Sequence, residues 1–313
     1  MNKRQAGSKG LRKYTLYWPL FFLGPFIICF LAFNLFPILF TLRTSFFEWD
    51  GMADKVFVGI ANYKRVLFED PNFRKSILYT LRIMLLSYPI SIFLGLLMAA
   101  CLSNLKRGRH VAQTVNFLPY ITTPVAIGLI FSFLFDWSSG IVNKILMGLG
   151  LGLIDKGLNW LGDPKLAYFV VAFMIIWKST GYYMAIYLAG ITSISEDVFE
   201  AARADGASAW KIFWKITIPM LKPITVFVVV TSIISGLQMF DEPNLLFNGS
   251  GMGSASVGGP NRSCLTIVWN FYDVSFKTTS RLGYGSAVAI VLFVIIVLCA
   301  VIGMKLMNRK EEV

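Results

Sequence analysis

Charged residues are scarce in this sequence of 313 amino acids, where Asp, Glu, Lys and Arg together make up only 15%. Soluble domains carry about 25%, and 56% of this chain is hydrophobic, so the composition indicates a membrane protein. The excess of 29 Lys and Arg over 17 Asp and Glu does not indicate nucleic-acid binding. These charges are scattered between apolar segments instead of forming one basic face.

Histidine and cysteine are also rare, with one His and four Cys. Three cysteines lie in or beside apolar segments and only Cys264 falls in a loop, so neither a disulfide framework nor a Cys/His metal cluster is indicated. The sequence contains no P-loop of the form Gly-x-x-x-x-Gly-Lys-Ser/Thr, which excludes ATP hydrolysis by that mechanism. It also lacks a nucleophile elbow and paired carboxylates within an apolar segment, which argues against a membrane enzyme.

Six apolar segments dominate the chain, and the first is long enough to cross about 30 Å of hydrocarbon as a helix. The first is too long for a signal peptide, and no small-residue cleavage site follows it. We therefore predict an all-α polytopic membrane protein with six transmembrane helices. The predicted spans are residues 18–42, 77–102, 114–135, 166–191, 224–240 and 284–307.

The distribution of Lys and Arg predicts the orientation of these helices. A basic tail (1–17), the loop 103–113, the segment 195–222 and the tail 308–313, together with Lys305 just before it, hold about half of the 29 Lys and Arg in short stretches. The outer loops, among them 43–76, contain a similar number of Lys and Arg, but these are spread over more residues. By the positive-inside rule, both termini are predicted to be cytoplasmic.

The most informative motif is a polar island between the fourth and fifth predicted spans, residues 195–219. Ser195 is a suitable N-cap, Gly206 sits where a helix would end, and Ser208 can cap a second helix. Pro219 is expected to stop that second helix. We therefore predict two short helices with a sharp bend at Gly206. An ordinary amphipathic loop helix is the alternative, since Glu-Ala-Ala by itself is common.

This island resembles the EAA loop of ABC-importer permeases in its residues and in their spacing. The matching residues are Glu200, Ala201, Ala202, Gly206, Ile216, Ile218 and Pro219. The resemblance extends from about Ser76 to Lys305 and is closest to the carbohydrate-uptake group, of the maltose, lactose and multiple-sugar type. It implies a type I ABC-importer permease fold in a bacterial inner membrane, with residues 77–307 as the core after the first helix.

In such permeases the EAA loop docks into a cleft of a separate ATPase subunit. The resemblance therefore implies that this chain holds no cofactor, and that ATP and Mg are used by the partner ATPase. The implied partners are a second permease subunit, two ATP-binding subunits, an extracytoplasmic sugar-binding protein and a carbohydrate. The predicted coupling residues are Glu200, Ala201, Ala202, Asp205, Gly206, Trp210, Phe213 and Pro219.

Polar residues inside the predicted spans indicate a substrate path, because such groups are costly to bury in lipid. In the fourth span, Lys178 and Tyr182 lie one turn apart on one face. Lys178 faces either the pore or an acid or carbonyls on a neighbouring helix, and the structural role is favoured. In the fifth span, a polar stripe forms either a sugar-facing wall or a helix–helix contact. The predicted path residues are Lys178, Tyr182, Thr231, Ser235, Gln238, Phe240 and Asp241.

An ion-coupled secondary transporter is the alternative function. It would require acidic residues within the spans, whereas Asp136 and Asp241 lie only at predicted span ends.

Two further segments resemble the permease family. Gly59, Asn62 and Tyr63 match an element of its first outer loop, and the Gly-rich loop 248–260 is expected to face the binding protein.

Overall fold

The computed structural model describes residues 21–52, 54–105, 107–149, 157–248, 257–277 and 281–308, with side chains up to residue 305. The predicted basic tail 1–17, most of the Gly-rich loop 248–260 and the end of the tail 308–313 lie outside these described residues.

Four helices are long and apolar enough to cross a membrane. They are α1 (Phe21–Thr44), α3 (Pro71–Ser103), α7 (Pro164–Ser193) and α13 (Leu282–Asn308). Two bent helix pairs occupy the positions of the third and fifth predicted spans. Each pair counts as one further crossing only if it is taken as a single span. The described part of the chain therefore holds four to six membrane spans.

The third predicted span, which contains Pro119 and Pro124, is bent in the structure. Helix α4 (Arg109–Ile121) is followed by α5 (Pro124–Leu134) at an angle of 92°. The two residues between them are extended, with ψ near 140°. A residue that precedes proline is biased away from the helical region, so Pro124 places the break after Thr122 and Thr123.

The fifth span is also bent. Helix α9 (Ala209–Met220) meets α10 (Lys222–Leu237) at 67°, and α10 ends three residues before the predicted limit at Phe240. A short helix, α11 (Asp241–Asn248), follows the break.

Short elements complete the fold and include one feature that an all-α prediction does not contain, a two-stranded antiparallel ribbon. These elements are β1 (Phe47–Glu48), β2 (Val56–Phe57), α2 (Ala61–Lys64), α6 (Ile141–Gly148), α8 (Glu196–Ala204) and α12 (Ile267–Tyr272).

The outer-loop element around Asn62 fastens the end of α1. The Asn62 side chain is buried, and its Nδ2 donates to the carbonyl oxygens of Ser45 and Phe47, both at 2.9 Å. The Tyr63 hydroxyl lies 2.6 Å from Ser45 Oγ. An amide with two donors can satisfy both carbonyls at once, which gives a structural reason for the Asn-Tyr pair.

The centre of the fold is the packing of α3 against α7, which is the most extensive contact between helices. Gly95 of α3 allows this approach, because a Cβ there would come within 2.8 Å of Tyr183 Cβ. Helix α4 comes equally close to α7 at Gly181, where a Cβ would overlap the carbonyl oxygen of Asn116. The small residue at position 181 therefore serves helix packing.

Candidate functional site

The predicted coupling loop, residues 195–219, folds as two short helices. Helix α8 begins after Ser195, whose hydroxyl donates to Asp197 Oδ2 at 3.1 Å instead of capping the helix N–H groups. At its other end, Gly206 has a φ of +76°. The Gly206 N–H bonds the carbonyl of Arg203, and the Ala207 N–H bonds that of Ala202, both at 3.0 Å. This pair of bonds is a Schellman motif, and it confirms the predicted turn at Gly206.

The second helix of the loop, α9, is longer than predicted. Ser208 caps it as expected, by accepting a hydrogen bond from the Lys211 N–H at 3.3 Å. The predicted stop at Pro219 was wrong, because the helix continues to Met220 and the chain bends at Leu221. A π-helical turn, Phe213–Thr217, precedes the proline. Pro219 has no N–H to donate to a carbonyl one turn earlier. The wider π-helical turn shifts which carbonyl groups lie opposite the proline.

Most predicted coupling residues lie together on the open surface of this loop. Trp210 is 68% exposed and Trp214 46% exposed, and their rings are 5.5 Å apart. Phe213 is half-buried beside them, and Ala202 is buried at 8% exposure. The remaining predicted residues are exposed: Glu200, Ala201, Asp205, Gly206 and Pro219. The surface therefore combines carboxylates, small residues and exposed aromatic rings.

A second group of predicted residues surrounds a cavity of about 260 Å³ between α3, α4, α7 and the break after α10. We call it the membrane cavity. Six of the seven predicted path residues line it: Lys178, Tyr182, Ser235, Gln238, Phe240 and Asp241. Thr231 does not, since its hydroxyl bonds the carbonyls of Phe227 and Val228 in its own helix at 2.8 and 3.0 Å.

Lys178 forms an ion pair in this cavity. Its Nζ lies 2.8 Å from Glu242 Oε1, and the two side chains are only 14% and 19% exposed. The sequence left two roles open for Lys178, and the structure combines them: it is paired with an acid on another helix and it also lines the cavity. With Asp241 beside Glu242, the wall carries one positive and two negative side chains.

Aromatic rings make up much of the remaining wall. The rings of Tyr120 and Tyr182 are stacked, with centroids 4.4 Å apart and planes 18° apart. Tyr88 and Tyr183 also line the cavity, together with Ser179 and Met239. Hydroxyl groups, aromatic rings and the amide of Gln238 therefore line the same small cavity.

Sequence reasoning missed Glu242, Tyr88 and Tyr120. Glu242 was hidden because the fifth span was taken to end at Phe240, so residue 242 counted as loop. The signal that could have found it is Lys178 itself, because a cation at membrane depth requires a partner. Tyr88 precedes Pro89 in α3, and nothing local distinguishes it from a packing residue.

Within the described ranges, no group of three or more His, Cys, Asp or Glu is arranged to hold a metal ion. The chemistry of the membrane cavity therefore comes from hydroxyl, amide, carboxylate, ammonium and aromatic groups.

Comparison with known proteins gives consistent results. A family model described as binding-protein-dependent transport system inner membrane component matches residues 91–313. The lactose transport system permease protein LacF of Rhizobium radiobacter is 36% identical over 282 residues, which cover 90% of each chain. The arabinooligosaccharides transport system permease protein AraP of Bacillus subtilis (strain 168) is 30% identical and covers 97% of this chain and 92% of its own.

The fold is similar to a chain in the crystal structure of a bacterial ABC transporter involved in the import of the acidic polysaccharide alginate. The TM-score is 0.80, the alignment covers 99% of this chain and 100% of that one, and the sequences are 22% identical. At this identity the likeness concerns the fold.

Proposed function

Because the chain belongs to the family of binding-protein-dependent transport system inner membrane components and is an ABC transporter permease, we propose that it forms half of a carbohydrate pathway in a bacterial inner membrane. In this proposal each bent helix pair is one span, both termini are cytoplasmic, and the substrate is an oligosaccharide. The names of the relatives support a sugar as the substrate class.

The observation that carries the proposal is the composition of the membrane cavity. Sugars present many hydroxyl groups and flat apolar ring faces. The cavity offers Gln238 and Ser235 as hydrogen-bonding groups, and Phe240 and the Tyr120–Tyr182 stack as ring surfaces. Amides and carboxylates can both bind hydroxyls, and aromatic rings provide apolar contact without covering the polar edge.

The size of the cavity fits half of a pathway. At about 260 Å³ it is smaller than a typical drug-sized pocket of roughly 300–1,000 Å³. It therefore encloses only part of an oligosaccharide. The rest of the enclosure would come from a second permease subunit, whose surface completes the path.

The coupling loop is the proposed contact with the ATPase. Glu200 and Asp205 are exposed carboxylates that can pair with basic groups of a partner, and Trp210 offers apolar area for burial. Helix α9 leads through the bend at Leu221 directly into α10, which ends at the cavity. A push on the loop would thus be carried along one chain segment to the substrate path. Two ATPase subunits would supply ATP hydrolysis, and an extracytoplasmic protein would deliver the sugar.

The proposal is tested by reconstituting the chain with its second permease, ATPase and binding protein in proteoliposomes. We expect ATP-dependent uptake of a radiolabelled oligosaccharide such as lactose or an arabinooligosaccharide. Uptake should fall at least tenfold for Glu200→Arg, since loss and reversal of an interface charge costs several kcal/mol. The control Glu48→Arg changes an equally exposed carboxylate in β1 and should leave uptake unchanged. Uptake that needs only an ion gradient would contradict the proposal.

A further inference from the structure

A larger cavity, of about 510 Å³, lies between the coupling loop and one end of the membrane helices. We call it the loop cavity. Its wall is formed by the last turns of α3 and α7, the first residue of α4, and the inward faces of α8 and α9. It is separate from the membrane cavity, with which it shares no lining residue. If the coupling loop is cytoplasmic, as the proposed function states, this cavity lies at the level of the inner lipid headgroups.

Much of the lining of the loop cavity is apolar. Leu97 and Ala100 come from α3, Ile191 from α7, and Phe199 and Phe213 from the loop helices. A groove of this kind at the end of membrane helices can hold a hydrocarbon chain, because each buried methylene contributes about 0.8 kcal/mol.

Two arginines, the partly buried Arg109 and the exposed Arg203, line the same cavity, and neither forms an ion pair with a residue that the structure describes. Arg109 Nε is fully buried and has no hydrogen-bond partner among the residues that the structure describes. Arg203 lines the cavity from α8, and Glu196 is the single acid in the lining. Within the described part of the chain, Glu196 forms no ion pair with either arginine. Buried donors are normally paired, so the unpartnered Nε of Arg109 indicates an acceptor such as an anionic ligand.

We propose that the loop cavity binds an anionic phospholipid, with the phosphate held by Arg109 and Arg203 and an acyl chain on the apolar wall. A free phosphate would satisfy the arginines but would leave the apolar wall uncovered. A zwitterionic lipid would cover the wall but would place its own cation against them. Basic pockets at the cytoplasmic ends of membrane helices suit anionic headgroups in this way.

The position of the site gives it a role in coupling. Both loop helices and the ends of α3 and α7 contribute to its wall, so an occupant would fix the loop against the membrane helices. A fixed loop transmits displacement better than a loose one. Anionic lipid should therefore raise the ATP-driven uptake of the complex without changing the identity of the sugar.

The native thiol of Cys101 provides the test, because Cys101 is exposed and lines the loop cavity. The reporter form carries Cys29→Ser and Cys299→Ser. Cys264 is kept, since burial raises its pKa to about 12 and leaves it unreactive at neutral pH. The purified complex in detergent is treated with N-ethylmaleimide, and the rate of Cys101 alkylation is measured with added phosphatidylglycerol, phosphatidylcholine or inorganic phosphate.

We expect phosphatidylglycerol at ten times its dissociation constant to slow Cys101 alkylation about tenfold. Phosphatidylcholine and inorganic phosphate should each change the rate less than twofold. Replacing both Arg109 and Arg203 by Gln should raise the phosphatidylglycerol concentration for half protection by roughly thirtyfold, at about fivefold per arginine. The matched control Arg107→Gln removes an exposed arginine that lies outside the cavity lining and should have no effect.

Equal protection by phosphatidylcholine, protection by phosphate alone, or no protection by any of the three would overturn the proposal. The alkylation rate without lipid shows whether the double variant keeps its fold, because an intact cavity gives the rate of the parent protein. Uptake is measured separately in vesicles that contain both phosphatidylcholine and phosphatidylglycerol, so that lack of anionic lipid cannot explain a failure. Failure of ATP-dependent uptake there would contradict the proposed function, whereas failure of protection with normal uptake would contradict only the lipid site.

Discussion

The ion pair between Lys178 and Glu242 gives the sharpest prediction about the membrane cavity. At 2.8 Å and an effective dielectric constant of about 20, the attraction between the two charges is about 6 kcal/mol before desolvation. Desolvation of two side chains that are 14% and 19% exposed offsets most of this. Removal of one partner leaves the other charge buried and unpaired, at a cost of roughly 3 kcal/mol.

Two single variants and their double variant form a double-mutant cycle with the parent protein, and a charge swap supplements it. Lys178→Met and Glu242→Gln should each lower the unfolding temperature by roughly 4–5 °C, given an unfolding entropy of about 2.1 cal/mol/K per residue. Replacing both together should restore most of this loss, because no unpaired charge remains. The swap of Lys178→Glu with Glu242→Lys should also recover stability. The control Lys144→Met removes an exposed charge and should cost less than about 0.5 kcal/mol.

Thermal unfolding followed by tryptophan fluorescence measures all of these variants in one format. If the two single losses simply add in the double variant, the side chains act independently. That result would refute the reasoning that they form one coupled pair across α7 and α11.

Three further predictions follow from the glycine and cysteine positions. Gly206→Ala and Gly108→Ala should each lower the free energy of unfolding by about 1–2 kcal/mol. Both residues have a φ near +77°, and an added Cβ would meet no neighbour, so only backbone strain acts. Uptake assays should show that only Gly206→Ala also weakens coupling to the ATPase. Gly181→Ala should destabilise the fold strongly by pushing α7 away from Asn116, seen as loss of monodisperse protein in size-exclusion chromatography, and a wild-type profile would contradict the close helix contact. Cys264 should resist maleimide below about pH 9, since burial holds its pKa near 12, and should react only on unfolding; rapid labelling of the native complex would show that the thiol is accessible.

Local signals were enough to predict the coupling loop. The turn at Gly206 depends on a positive φ, which glycine adopts without steric cost, and the cap at Ser208 needs only residues within one turn. These features involve neighbours in sequence, so a single chain specifies them. The end of α9 was misplaced because the helix continues through Pro219 to Met220, and the π-helical turn before the proline has no clear sequence signal.

The membrane cavity was predicted only in part because its geometry depends on distant contacts. Two members of the polar stripe, Ser235 and Gln238, line the cavity, but helix periodicity also included Thr231, which bonds its own backbone instead. Glu242 lies 64 residues from Lys178, so no local pattern could pair them. The break after α10, which brings Glu242 to the cavity, became visible only in the fold.

The proposed function requires the coupling loop to face the cytoplasm, which holds ATP. In a cysteine-free background, Ala201→Cys places one thiol on the exposed surface of the loop, where a membrane-impermeant maleimide can reach it from one side only. We expect labelling in inside-out vesicles, no labelling in right-side-out vesicles, and protection when the ATPase is bound. Labelling from the outside would contradict it.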